Sequence, residues 1–321
     1  MMRCFIISLI FTVVFTCGFS QDEQSGYVFD EALFDEFYNI GETLTESYLP
    51  GISEDVELPS YEEWKIFWIA FMDAMQSLDY DALAGMQEEG AGIFETIDQI
   101  PVFSDYADWL YERLDYADMA RQTVMRYPIK KQMPQVQIEP VRQERTNLAL
   151  DQQQWKKKLS SRALPEDAQT LIPILKEVFK SEGVPPEWVW IAEVESSFNP
   201  KAKSPVGALG LFQFMPQTAE RFGLKTGVIF DDRKNPEKSA KAAAQYLKIL
   251  YRQFKSWPLV FAAYNAGEGR VGRLLKKHHA TDFEQIAVHL PVETQMYVPK
   301  IMATVALREH VDPLTISAPR E

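Results

Sequence analysis

The sequence predicts an all-α protein. Apolar residues recur at three- and four-residue spacing along most of the 321 residues, and no run carries the two-residue alternation of a convincing sheet. Asn-Pro pairs and Gly-rich turns sit where helices would start and stop. Charge divides the chain into two helical regions: residues 21–126 hold 25 acids against 4 bases, and residues 127–321 hold 21 against 28. A basic half suits an anionic polymer, and an acidic half can repel that polymer or cover the basic surface. Two differently solvated surfaces are the plainer reading of the same counts.

The first twenty residues hold one cation, Arg3, an apolar run from Phe5 to Cys17, and small Gly18 and Ser20. This is the pattern of a secretory signal cleaved after Ser20, and the run is too short for an ordinary membrane span. A lipidated Cys17 is the alternative, poorly served by the Phe15-Thr16 before it. The only cysteines are Cys4 and Cys17, so the mature chain must be held by core packing without disulfides.

Residues 21–127 are expected to form a separate acidic helical domain with no legible role. Its apolar stripes are Leu33, Phe34, Phe37 and Tyr38; Trp64, Phe67, Trp68, Phe71, Met72 and Met75; and Phe103, Tyr106, Leu110, Ala117 and Val124, with Ser104 placed to cap the last. Residues 128–163 carry Pro128, Pro134 and Pro140 among Gln, Lys and Arg. They read as a linker holding one polar helix near 143–159.

The second domain spans 164–312, before a tail at 313–321. Its first stripe is Ala168, Leu171, Ile172, Leu175, Val178 and Phe179, ended by Gly183, with Pro173 inside. Pro186 to Glu195 reads as a short helix, opened by Pro185-Pro186 and stopped before Asn199-Pro200. Trp188, Val189, Trp190, Ile191, Ala192 and Val194 leave it almost no polar face. A carboxyl at the end of a buried helix loses water, which raises its pKa toward the range of a general acid. Glu193 and Glu195 lie about 200° apart around such a helix, so one of them faces a given cleft. Spacing favours neither, and a buried salt-bridge partner is the plain alternative. Further helices are expected over 237–254, 257–264, 283–290 and 293–310, the last containing Pro299.

Glu195-Ser196, Asn199-Pro200, Ser204, Gly207-Ala208, Gly210 to Gln213 and Met215-Pro216 together resemble the soluble lytic transglycosylase family, which cleaves bacterial peptidoglycan. Asn235-Pro236 ahead of Ala242 to Leu247, then Ala262 to Val271, then Pro291 to Pro299 follow in that family's order. The likeness is to its membrane-bound D type, without a LysM module, and it stops short of residues 21–126. It implies a lysozyme-like, goose-type helical catalytic domain. It assigns the catalytic acid to Glu195 and leaves Glu193 structural. Glu195 would protonate the glycosidic oxygen between N-acetylmuramic acid and N-acetylglucosamine, then act as base on the muramic acid 6-hydroxyl, giving a 1,6-anhydro end.

The same resemblance places Ser204 and Gln213 along the cleft, where a hydroxyl and an amide suit acetamido and ring hydroxyl groups. Their plain readings are a turn serine before Pro205 and an amide satisfying backbone. Phe212 replaces a commoner Met and keeps an apolar wall. Tyr264 resembles a cleft tyrosine and Asn265 a structural or sugar-contacting amide. Tyr297 resembles the tyrosine that reaches the catalytic carboxyl, and Glu293, four residues before it, is structural or substrate-positioning.

No cofactor is implied. His278, His279, His289 and His310 lack matching Cys or carboxylate ligands, so no metal site is expected. No phosphate-binding loop and no nucleic-acid module are legible. The implied partner is the peptidoglycan glycan strand in the periplasm, with a cell-wall or divisome protein at the acidic region as a further expectation. The rival readings are a lysozyme-type hydrolase on the same scaffold and a non-catalytic cell-wall binding protein.

Overall fold

The computed structural model describes residues 19–22, 26–29, 61–86, 104–130, 133–165, 167–204, 207–227 and 230–321. The signal run through Cys17, the stripe from Leu33 to Tyr38, and Phe103 lie outside the described residues. So do the side chains of Trp64, Phe67, Trp68, Ser104, Tyr106 and Leu110.

The described residues are almost entirely helical, as expected. The departure is a hairpin in which β1 (Phe19–Asp22) pairs antiparallel with β2 (Gly26–Phe29), Phe19 opposite Phe29 and Asp22 opposite Gly26. Tyr27, Val28 and Phe29 are strand formers beside a turn glycine, a signal too short to stand out against the helical pattern. β1 straddles the point expected for signal cleavage.

Helices α1 (Tyr61–Gln76) and α2 (Ser104–Arg126) come from the acidic region. The stretch read as a linker with one polar helix near 143–159 holds two helices, α3 (Gln135–Glu144) and α4 (Leu148–Leu159), joined through Asn147, whose side chain accepts from the Leu150 amide. Pro140 lies inside α3, and Leu148, Trp155 and Leu159 give α4 one buried face. Three lysines in its last turn mask that face in a count of polar residues. After α5 (Ala168–Ser181), a 3₁₀ turn over Pro186–Trp190 runs into α6 (Ile191–Ser196), which ends at left-handed Ser197. α7 (Pro216–Arg221), α8 (Pro236–Phe254), α9 (Trp257–Ala266), α10 (Glu268–His278) and α11 (Phe283–Ala287) follow. Asn235 caps α8 by accepting from Lys238, with Pro236 at its first position, as its sequence predicts.

The last helix, α12 (Val292–Glu309), is the axis. Every residue from Val292 to Ala306 is buried. It packs against α4, α9, the 3₁₀ turn and α6 on different sides, and touches α1 and α2. The apolar part of the core is completed by Trp188, Trp257 and Phe261, with ring centroids 4.6–4.7 Å from Trp188. α2 belongs to the same core: Tyr116 meets Trp155 edge-on, and Ala117 and Ala120 are fully buried. The acidic segment therefore packs directly on the C-terminal helices.

Between α6 and α7 the chain folds into a loop that the site depends on. Leu209 bridges both Lys203 and Phe214, and Arg233, buried and paired with Asp231, donates to the carbonyls of Gly207 (2.8 Å) and Phe214 (2.9 Å). Gly210, at φ +82°, passes so close that an added Cβ would lie 2.1 Å from the Arg233 carbonyl oxygen. Gly210→Ala is expected to cost more than about 2 kcal/mol, because backbone must move as well as strain. Gly207, at φ +86°, has open space where its Cβ would go, so Gly207→Ala should cost about 1 kcal/mol from the left-handed backbone alone. Thermal or urea unfolding of the two variants reads the difference.

Candidate active site

The end of α6 faces a cleft of about 490 Å³. Glu195 is on its floor, 4% exposed, because the run from Trp188 to Val194 buries the helix that carries it. The Tyr297 hydroxyl, from α12, donates to Glu195 Oε1. Arg113, from α2, places Nη2 3.7 Å from Glu195 Oε2 and 3.6 Å from Glu293 Oε1. Burial pushes the Glu195 carboxyl up to about 7, against the opposing pull of Arg113 and the Tyr297 hydrogen bond, with Glu293 adding to the rise. Glu193 points elsewhere: Arg308 donates to both of its oxygens, at 2.6 and 3.0 Å.

The other residues singled out from sequence gather around the same space, though several spend their polar atoms on the protein. Ser204 and Gln213 line the cleft. The Ser204 hydroxyl accepts from the Ala208 amide at 2.9 Å. Gln213, in a left-handed conformation, donates through Nε2 to the carbonyls of Ala202 (3.0 Å) and Gly210 (2.9 Å). Its Oε1 is buried and has no hydrogen-bond partner within the protein, so it can accept from a ligand. Tyr264 donates to the Phe212 carbonyl at 2.8 Å and thereby ties α9 to the loop. Asn265 sits at the end of α9, accepts from Thr294 at 2.6 Å and faces Glu293 at 3.5 Å. Tyr297 is fully buried behind Glu195.

Sequence reasoning missed the wall opposite. Met72, Met75 and Gln76 of α1 and Arg113 of α2 line the cleft, and Gln76 Nε2 approaches Glu293 Oε2 at 3.4 Å. The available signal was Arg113 itself, one of 4 bases among 25 acids in residues 21–126. The far end of the cleft is polar, with Arg221 paired to Glu268 at 2.7 Å and Tyr246 donating to the same carboxylate at 2.7 Å. Among the described residues, no group of three or more His, Cys, Asp or Glu is placed to hold a metal ion. None of the described helices is long and apolar enough to cross a membrane.

The transglycosylase SLT domain family matches residues 173–287. Over 129 residues the chain is 40% identical to membrane-bound lytic murein transglycosylase D of Escherichia coli K12, covering 39% of this chain and 28% of that protein. It is also 40% identical over 129 residues to the soluble lytic murein transglycosylase of Salmonella typhimurium, covering 37% of this chain and 20% of that one. The chain thus spans less than a third of the length of either relative. Among solved structures, the 70 kDa soluble lytic transglycosylase of Escherichia coli aligns with a TM-score of 0.40 and 21% identity, over 90% of this chain and 59% of that one. Glu195, Ser204, Gln213, Tyr264 and Asn265 fall inside the matched residues 173–287; Glu293, Tyr297, Arg113 and Gln76 fall outside them.

Proposed function

We propose that the protein is a peptidoglycan lytic transglycosylase that cleaves the bond between N-acetylmuramic acid and N-acetylglucosamine without water, using Glu195 as its single acid and base. What carries the reading is the environment of Glu195: a carboxyl buried at the floor of a cleft, poised near neutrality, with one oxygen fixed by Tyr297. A group with that poise can give its proton to the glycosidic oxygen and then take one from the 6-hydroxyl that closes the anhydro ring. The relatives' names supply the substrate class.

The unpaired Gln213 Oε1 suits an acetamido N–H of the substrate, and the Ser204 hydroxyl lies along the same wall. Glu293 serves as a positioning carboxylate. Its oxygens face Gln76, Asn265 and Arg113, which suits a structural role better than that of a glycosidase nucleophile. Secretion to the periplasm, through the signal at 1–20, belongs to the same proposal.

Mass spectrometry of sacculi digested by the full chain tests it. Muropeptides ending in 1,6-anhydro-muramic acid are expected. Reducing muramic acid ends would make the protein a hydrolase and remove the non-hydrolytic step.

A further inference from the structure

We propose that Arg113, carried by α2 outside the stretch that matches the SLT domain family, is a positioning residue for this reaction: its guanidinium, shared between Glu195 and Glu293, fixes both carboxyls, balances the charge on Glu293 and eases release of the proton from Glu195. The proposal rests on the function proposed above.

The geometry supplies the argument. Arg113 is 4% exposed, and a single nitrogen lies within 3.7 Å of both carboxyl groups. One buried cation can neutralise one carboxylate, and a second uncompensated charge there would pay full desolvation. Glu293 is the better seat for that charge, since Gln76 and Asn265 also point donors at it. Glu195 has the Tyr297 hydroxyl and a share of Arg113.

The other charged and titratable groups facing Glu195 do not change this balance. On α2, Glu112 is held by Lys300 and Arg162, and Tyr116 is a buried phenol. On α12 the groups are Glu293, Tyr297 and Lys300, and on α9 the half-buried Tyr264. Lys300 is already engaged by Glu112 and Asp115. Arg113 is therefore the nearest cation to the Glu195–Glu293 pair and acts on Glu195 more strongly than Lys300 does, and its position is set by the ion pairs that Glu112, one residue earlier, and Asp115 make with the C-terminal helices.

Without Arg113, burial and the Glu293 charge would act on Glu195 less opposed, and it would hold its proton to higher pH. The acid would remain protonated but release that proton less readily, and the base step would suffer.

The test compares Arg113→Met, Arg113→Gln and Arg113→Lys in the full chain. The pH at which Glu195 titrates is read without catalysis, as the break in the difference between the urea-unfolding free energies of each chain and its Glu195→Gln counterpart. In both neutral variants this break should move up by about one pH unit or more, and the alkaline limb of kcat/KM on purified sacculi should move with it. Arg113→Lys should keep the break near its original place. A break that stays put in either neutral variant, or moves as far in Arg113→Lys, overturns the proposal, and a residue that served packing alone would give that result. Should the original chain cleave no glycan, the function proposed above fails, while the unfolding break still decides the role of Arg113.

Discussion

Glu195→Gln is expected to remove glycan cleavage, with a fall in kcat of about 10,000-fold, the upper end for loss of a general acid–base group. The upper end is expected because, in the proposed mechanism, one carboxyl would serve both proton transfers, so neither would have a substitute. In the original chain kcat should fall about tenfold per pH unit above the titration of Glu195, raised to about 7 by burial. The same shift has a consequence for stability. A carboxyl whose folded pKa is raised contributes stability that is fully present below its ordinary value and is lost as pH rises through the folded value. The ordinary value is 4.5 and the folded value about 7, so the original chain should lose about 3 kcal/mol relative to Glu195→Gln between pH 4 and pH 8. Turnover on sacculi and urea unfolding across that range check the two halves. A variant that still released muropeptides would exclude Glu195 as the acid.

The parts of the site legible in the sequence were those built by local rules. Glu195 could be read as buried because the apolar residues from Trp188 to Val194 leave the run Pro186–Glu195 almost no polar face, and the caps and glycines around it mark their own turns. The roles of Ser204, Gln213, Tyr264 and Asn265 were less legible. Their hydrogen bonds run to the loop backbone, to Ala208, Ala202, Gly210 and Phe212, and to Thr294. That arrangement depends on how the loop is threaded against α9 and α12. Arg113 and Gln76 could not be placed from local pattern at all: their partner Glu293 is more than 150 residues away in the chain, and side-chain pairing at that separation leaves no periodic trace. In the linker stretch, 128–163, the packing of its helices was hidden for the opposite reason. α4 does carry a buried stripe, but its lysines and the three preceding prolines dominate any count of polarity. The acid–base asymmetry between the two regions proved to be structural in part, since Glu112, Asp115 and Asp118 of α2 pair with Arg162, Lys158 and Lys300.

Lys300→Met should destabilise the fold by about 4 kcal/mol at neutral pH, because it strips a buried cation from two buried carboxylates. Lys300 is 1% exposed on its side chain, pairs with Glu112, and lies 3.4 Å from Asp115. Its ammonium group sits over the faces of Tyr116 (4.7 Å) and Trp155 (5.0 Å), so a methionine of similar length keeps the packing while losing the charge. Burial alone would raise the Asp115 carboxyl, but Lys300, Arg162 and Lys158 outweigh it and hold it below its ordinary value of 3.8. A depressed carboxyl contributes stability above its unfolded pKa and loses it as pH falls through the folded one. The gap between the original chain and Lys300→Met should therefore be widest above about pH 5 and close toward pH 3. Adding Glu112→Gln to Lys300→Met should recover part of the loss, since the stranded charge goes with the lysine that faced it. The double-mutant cycle, read by urea unfolding at two pH values, separates this electrostatic lock from simple packing. A loss that is the same at pH 3 and pH 7, with no recovery in the double variant, would show that α2 is held by its apolar face alone.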